Sequence, residues 1–453
     1  MTQKSRGNFG SKIGIVLATA GSAVGLGNVW RFPTMAGENG GAAFIIIYIL
    51  CVFLLGIPCM LGEFIIGRHA QSNAARAYSK LAGGTPWRLI GYFGIFTGFL
   101  IASYYSVVSG WCLQYVYASV AGHLEGNQEY VSQYFASFVT NPWKPVLWLV
   151  LFFAISHFVI VRGVEKGIER ASKLMMPLLF ILLVVIAVAS CMLPNASAGI
   201  SFLFSPDFSK VDGNVLLGSL GQAFYSLSLG MGCLCTYASY FSRDTNLTRS
   251  AVQIVSIDSM IAILAGLMIF PAVFSTPSPD VAAGPSLVFE TLPYVFNEAF
   301  SAMPLVGYIV SVLFFLLLAV AALTSLISLH EVCTAFFHEE MKMTRTKAAT
   351  IVTVLCSVIG VFCSLSFYDV RLSLFGRQLF DLFDFTTGQI FLPMGGFLTC
   401  LFLGWYVPRH ILHDELTNHG TLSGRFFALF LFCVRYVCPL CILLVFLHQL
   451  GIV

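Results

Sequence analysis

The sequence predicts an all-α, multi-pass membrane protein with eleven crossings, on three observations. Apolar runs about 20 residues long, the length needed to cross a bilayer core, recur from one end of the chain to the other. Of the 453 residues, 58% are hydrophobic and only 10% are charged, against about 25% charged in soluble domains; the mean hydropathy is +0.86. Lysine and arginine collect in alternate connections between the runs.

The runs lie at about 12–36, 42–67, 88–118, 145–161, 169–193, 215–240, 249–274, 304–337, 348–366, 378–404 and 424–450. The first is too long and too interrupted for a cleaved signal peptide, and no small-residue cleavage site follows it. It contains Gly21-Ser-Ala-Val-Gly25-Leu-Gly27-Asn28, and each glycine costs a helix about 1 kcal/mol relative to alanine. In hydrocarbon every freed backbone group also needs a partner, so a break at mid-depth implies something polar placed there. The second run carries Gly56-Ile-Pro58 and a buried acid, Glu63, expected to accept backbone donors of a broken helix. The third carries Tyr104, Tyr105 and Trp111. In the fifth, Gly167 and Pro177 flank a stretch that reads either as able to unwind or as a static kink.

The sixth run repeats the irregularity, Gly221-Gln222-Ala-Phe-Tyr225-Ser226-Leu-Ser228-Leu-Gly230-Met231-Gly232. Glycine clusters also serve close helix packing. Two of them at corresponding places, with Asn28, Ser226 and Ser228 beside them, favour a site instead. Broken helices five crossings apart are what two five-helix repeats produce, and five being odd makes the second repeat inverted. The repeats are expected at 12–193 and 215–404 of one 1–453 domain, with 424–450 as an extra C-terminal helix.

Charge sets the orientation. Of the 24 lysines and arginines, eighteen fall in connections on the side of the N-terminus. Four, Lys144, Lys210, Arg371 and Arg377, fall on the other side, and Arg31 and Arg435 lie within helices. The N-terminus is therefore expected in the cytoplasm and the C-terminus outside, in a cell membrane. The net charge of +3 is this loop bias and gives no case for nucleic acid. The thirteen cysteines mostly lie in apolar helices and read as small hydrophobes. A metal or disulfide role is not expected of them, and Cys438-Pro-Leu-Cys441 has redox spacing without a thioredoxin-like context. No nucleophile–base pair or metal-ligand spacing suggests an enzyme.

The first octet continues as Val-Trp30-Arg31-Phe-Pro33, then Glu38-Asn-Gly-Gly41 and Gly56-Ile-Pro. With Tyr104-Tyr105, Trp111, Gly221 to Gly232, Thr236-Tyr-Ala-Ser-Tyr240, Ala321 to Ser325 and Asp381-Leu-Phe-Asp-Phe385, the chain strongly resembles the neurotransmitter:sodium symporter family. The match spans helices one to ten, and eleven helices resemble its bacterial branch. The resemblance implies a LeuT-type 5+5 inverted repeat with broken helices 1 and 6, and Na⁺-coupled amino-acid uptake by alternating access. Inverted repeats that bind at broken helices are that family's known architecture.

Sodium suits oxygen ligands, as other hard cations do. Two sites are implied: the first from the Ala23 carbonyl, Asn28, Ser226 and Asp258, the second from the carbonyls of Gly21, Val24 and Ala321 with the hydroxyls of Thr324 and Ser325. Hydroxyls in membrane helices also bond back to their own helix, the plainer reading of the last two. Asp258 departs from the asparagine of many relatives, which take negative charge one turn later from chloride or a glutamate; here that position is Ala262. An intramembrane aspartate costs about 2.5–3.5 kcal/mol on insertion scales and needs a partner. Chloride independence follows as an expectation, with a proton taken by Asp258 on the empty return step.

Gly25 stands where amine carriers of the family place an aspartate, so the ligand must bring its own carboxylate; Tyr105 matches the family tyrosine that contacts it. The ligand site implied comprises Ala23, Gly25, Gly27, Ile101, Tyr105, Tyr225, Ser226, Ser228, Met231, Ser325 and Leu329. It holds no unpaired charge, which excludes acidic and basic ligands, and the flexible Met231 thioether adapts to several shapes. Neutral hydrophobic and aromatic amino acids are expected. Gates are expected at Arg31 with Asp384 on the outer side and at Arg6 with Glu339 on the inner side, where Phe9 replaces a usual tryptophan. No obligate protein partner is implied. The competing reading is a sensor or channel on the same fold, binding amino acid without coupled turnover.

Overall fold

The computed structural model describes residues 9–276, 287–369 and 372–449. Among them, nine helices are long and apolar enough to cross a membrane, and Lys12–Ala23 with Gly27–Glu38 makes a tenth crossing, bent by 55°. The place of the sixth predicted run is taken by Gly213–Ser226 and Cys233–Ala238, each too short to cross alone. All eleven predicted runs thus have counterparts, with every end within five residues of its expected place.

Local chemistry explains where the helices start. Ser11 Oγ accepts from the Gly14 N–H at 3.0 Å, Asp212 from Val215 at 2.9 Å and Asn246 from Arg249 at 2.9 Å. Each satisfies one of the orphan donors of a first turn. Proline shapes the interiors. Six of the seven π-helical turns among the described residues, including Gly27–Arg31, Val52–Gly56 and Thr386–Phe391, end two residues before a proline. A proline ring crowds the carbonyl of the preceding turn and has no N–H to offer it. A widened turn relieves the clash without breaking the span.

Burial separates core from periphery. The third span is 72% buried and packs most extensively against the eighth, Pro304–Glu340, whereas the fourth is 33% buried and the ninth and eleventh 39%. Exposed Leu147, Phe158, Leu174, Ile181, Val358 and Leu440 lie on the peripheral spans, as a lipid-facing surface requires. The first half of span one packs on spans five, seven and eight, which sets its break at the centre of the molecule. The only strands among the described residues, Ser373–Leu374 and Arg377–Gln378, form an antiparallel hairpin ahead of span ten, with Ser373 opposite Gln378.

Span five runs unbroken from Val164 to Cys191, so the stretch between Gly167 and Pro177 is wound here. Gly167 has a packing reason: an added Cβ would lie 2.1 Å from the Val159 carbonyl oxygen. Nearly all the cysteines lie buried in helices as small hydrophobes would, with one local clustering. Cys59, Cys400 and Cys438 from three different spans come together.

Candidate functional site

Both breaks open on one place. Span one leaves helical geometry at Val24 (φ −72°, ψ 113°) and resumes by Gly27, a narrower gap than the glycine octet suggests. Span six unwinds between Ser226 and Cys233. There Ser228, Gly230 and Gly232 adopt positive φ of 53°, 85° and 73°. Gly230 is required for two reasons, because a Cβ on it would also lie 2.5 Å from the Leu392 carbonyl oxygen. The Ser228 hydroxyl donates to the Ser22 carbonyl at 3.1 Å, tying one break to the other. Glu63 supports the second from span two: its carboxylate accepts the N–H of Gly230 at 2.7 Å and of Cys235 at 3.3 Å. Two freed donors thereby gain an acceptor in a fully buried place.

A cluster of polar groups sits beside the first break. Asn28 Oδ1 accepts the Gly25 N–H at 3.1 Å, while its Nδ2 donates to Asp258 Oδ1 at 2.8 Å and to Ser226 Oγ at 3.2 Å. The hydroxyls of Ser226 and Tyr48 donate to Asp258 Oδ2 at 2.9 and 3.2 Å. Asp258 is fully buried, and these three donors offset part of the cost of placing a carboxylate there. Tyr48 escaped the sequence reading. Its signal was one phenol head in the apolar run Phe44-Ile-Ile-Ile-Tyr48-Ile.

A second oxygen cluster lies on the other side of span one. Thr324 Oγ1 donates to the carbonyls of Val24 at 3.2 Å and Ala321 at 2.8 Å, and Ser325 Oγ to Val24 at 3.3 Å. Thr324 therefore bonds both its own helix and the break, and Gly21 approaches it: a Cβ there would lie 3.5 Å from Thr324 Cβ. Both clusters are made of carbonyl, hydroxyl, amide and carboxylate groups, a donor set that suits a hard cation.

Between the breaks is a cavity of about 50 Å³. Ala23, Gly25 and Gly27 line it from span one, Ile101 and Tyr105 from span three, Tyr225, Ser226, Ser228 and Met231 from span six, and Ser325 and Leu329 from span eight. All eleven residues expected at a ligand site thus border one space, joined by Ser22, Leu26, Tyr104, Ser328 and Leu392, which were not expected there. Tyr105 Oη has no hydrogen-bond partner among the described residues. A Cβ at Gly25 would lie 2.3 Å from Ser325 Oγ and 3.4 Å from that phenol oxygen, so the glycine keeps the approach to both hydroxyls open.

A larger cavity of about 270 Å³ adjoins it and shares Gly27, Tyr105 and Tyr225 with it. Arg31, Asp381 and Asp384 line this second space. Arg31 and Asp384 are not paired here: the guanidinium stacks 4.1 Å above the Tyr225 ring. Cation and aromatic face attract each other, which leaves the expected charge pair apart.

At the opposite end an aromatic cluster surrounds Phe9. Phe9 is buried among Tyr237, Tyr240 and Phe241, with ring centroids 6.0–6.3 Å apart. Arg6 lies outside the described residues; Glu339 accepts from the backbone N–H of Asn73 at 2.9 Å and from its amide at 3.0 Å. Two unforeseen acids work nearby. Glu331 is fully buried, bound by Arg345 and by the Tyr240 hydroxyl at 2.6 Å. Glu169 on span five takes the Gly10 N–H at 2.6 Å, the Ser11 hydroxyl at 2.7 Å and Lys173 at 2.7 Å.

The model of the Sodium:neurotransmitter symporter family matches residues 6–133 and 130–452. An uncharacterized sodium-dependent transporter of Bacillus subtilis, YhdH, is 39% identical, over 100% of this chain and 99% of its own. The human sodium- and chloride-dependent GABA transporter 2 is 26% identical, over 98% of this chain and 80% of its own. Among solved structures, that of MhsT in complex with L-phenylalanine superposes with a TM-score of 0.88 at 42% identity, covering 98% of this chain and 100% of that one.

Proposed function

The chain belongs to the sodium:neurotransmitter symporter family, and from that premise we propose that it takes up neutral hydrophobic or aromatic amino acids driven by Na⁺. The carrying observation is contiguity. The ligand cavity, the Asn28–Ser226–Asp258 cluster and the Val24–Ala321–Thr324 cluster all share the first break. In this reading Asn28, Ser226, Asp258 and the Ala23 carbonyl hold one Na⁺. Gly21, Val24, Ala321, Thr324 and Ser325 hold a second. Tyr105 Oη, without a partner, receives the ligand carboxylate in the opening that Gly25 leaves. Ile101, Met231 and Leu329 receive an apolar side chain, in keeping with the phenylalanine bound by MhsT. The N-terminus lies in the cytoplasm, so the end carrying Arg31 and Asp384 faces outward. The repeats at 12–193 and 215–404 move against each other, exposing the site alternately.

Asp258 also supports a reading without chloride. Its carboxylate puts a negative charge within the Asn28–Ser226 cluster, and the position one turn later is Ala262, so chloride is dispensable in this reading. When Na⁺ leaves, the fully buried carboxylate loses its cation, and in this reading Asp258 takes up a proton on the empty return step.

Uptake into proteoliposomes tests the reading. Phenylalanine should accumulate against its gradient when Na⁺ is higher outside, and replacing chloride by gluconate should leave the rate unchanged. Binding without accumulation would make the protein a sensor, and loss of uptake in gluconate would remove Asp258 from its anionic role. Thr324→Val keeps the shape of the second cluster and deletes its hydroxyl. About 1–1.5 kcal/mol of lost interaction corresponds to roughly a tenfold weaker apparent Na⁺ affinity, read from the Na⁺ dependence of uptake.

A further inference from the structure

We propose that Cys59, Cys400 and Cys438 form a buried three-sulfur site for a soft, monovalent d¹⁰ metal ion of the Cu(I) class. The three thiols come from spans two, ten and eleven, and their sulfur atoms all lie within 4.8 Å of one another. Cys59 Sγ and Cys400 Sγ are 3.5 Å apart. Exposure is 4%, 1% and 0% in chain order, so water does not compete for the centre.

Geometry and charge select the metal. Three sulfurs about 2.3 Å from a shared ion, the usual metal–thiolate distance, stand about 4 Å from one another in a plane. The observed spacing brackets that value, so small side-chain adjustments suffice. A structural zinc site asks for four ligands, and among the described residues no histidine or carboxylate joins this group. Glu63, one turn beyond Cys59, already serves the N–H groups of Gly230 and Cys235. Thiolate and thiol sulfur favour Cu(I) over hard cations.

The charge balance closes. One thiol loses its proton to water as the ion enters, and the other two bind through sulfur lone pairs. One positive ion with one thiolate leaves a neutral centre, which avoids the cost of an uncompensated charge in an apolar interior. Zn(II) would have to displace two of the three thiol protons to reach neutrality and would still lack its fourth ligand. The filled site would tie span ten, which carries Asp384 toward its other end, to spans two and eleven.

The test is a titration of the purified full-length protein with Cu(I), under anaerobic reducing conditions against a chromophoric Cu(I) chelator. The expected result is one equivalent withheld from the chelator, with three sulfur neighbours in X-ray absorption. Cys59→Ser, Cys400→Ser and Cys438→Ser should each abolish the withheld equivalent, while phenylalanine binding reports that each variant is folded. No withheld equivalent in the unmodified protein would overturn the proposal. So would a two-sulfur shell, or an equivalent that survives all three substitutions through the other ten cysteines. Absorption on the unmodified protein decides the matter even if a variant fails to fold.

Discussion

Asp258→Asn is expected to weaken Na⁺ binding by about a hundredfold or more, the largest functional effect of any single substitution here. A cation about 4 Å from a carboxylate gains on the order of 4 kcal/mol at an effective dielectric of 20, and each 1.4 kcal/mol is about tenfold in affinity. Asparagine keeps the volume and an acceptor for Tyr48 and Ser226, which donate to Asp258 at 3.2 and 2.9 Å. The fold should survive and the charge alone should go. The measurement is the Na⁺ concentration giving half-maximal phenylalanine binding in detergent. An unchanged midpoint would show that Asp258 holds no ion.

Glu63→Ala should have the largest effect on stability. The carboxylate is the acceptor for two peptide N–H groups freed by the second break. Stranding a buried donor costs about 1–3 kcal/mol, so the pair loses roughly 2–6 kcal/mol. A lower melting temperature follows, with amino-acid binding lost alongside it, because Gly230 and Cys235 flank the ligand-bearing turn. Glu63→Gln retains an acceptor and should fall between the two. A Glu63→Ala protein that melts like the original would mean that the break is held by other contacts.

The crossings were legible because hydrocarbon imposes its length on each run, and the breaks because glycine is costly inside a helix. The predicted ligand residues converge for the same reason: unwound backbone gathers neighbours from four spans around one space. What the sequence hid depends on contacts between distant helices. Periodicity along spans two, ten and eleven cannot show that Cys59, Cys400 and Cys438 face one another. Tyr48 looked like one more apolar residue until its hydroxyl met Asp258. Arg31 matched a charge-pair pattern, yet its guanidinium stacks on the Tyr225 face while Asp384 lines the same cavity without pairing to it. Gly167 and Pro177 read either as able to unwind or as a static kink; the stretch is wound here, and a close approach to Val159 gives the glycine a packing reason.

The central claim is that two broken helices form one site where sodium and an amino acid stabilise each other. It is tested most directly by phenylalanine affinity in Na⁺ and in K⁺ at constant ionic strength. Shared ligands predict at least roughly tenfold tighter binding in Na⁺, with phenylalanine tightening Na⁺ binding by the same factor, as linkage requires. Equal affinity in the two salts would contradict the account, because the ion clusters and the amino-acid cavity would then be independent.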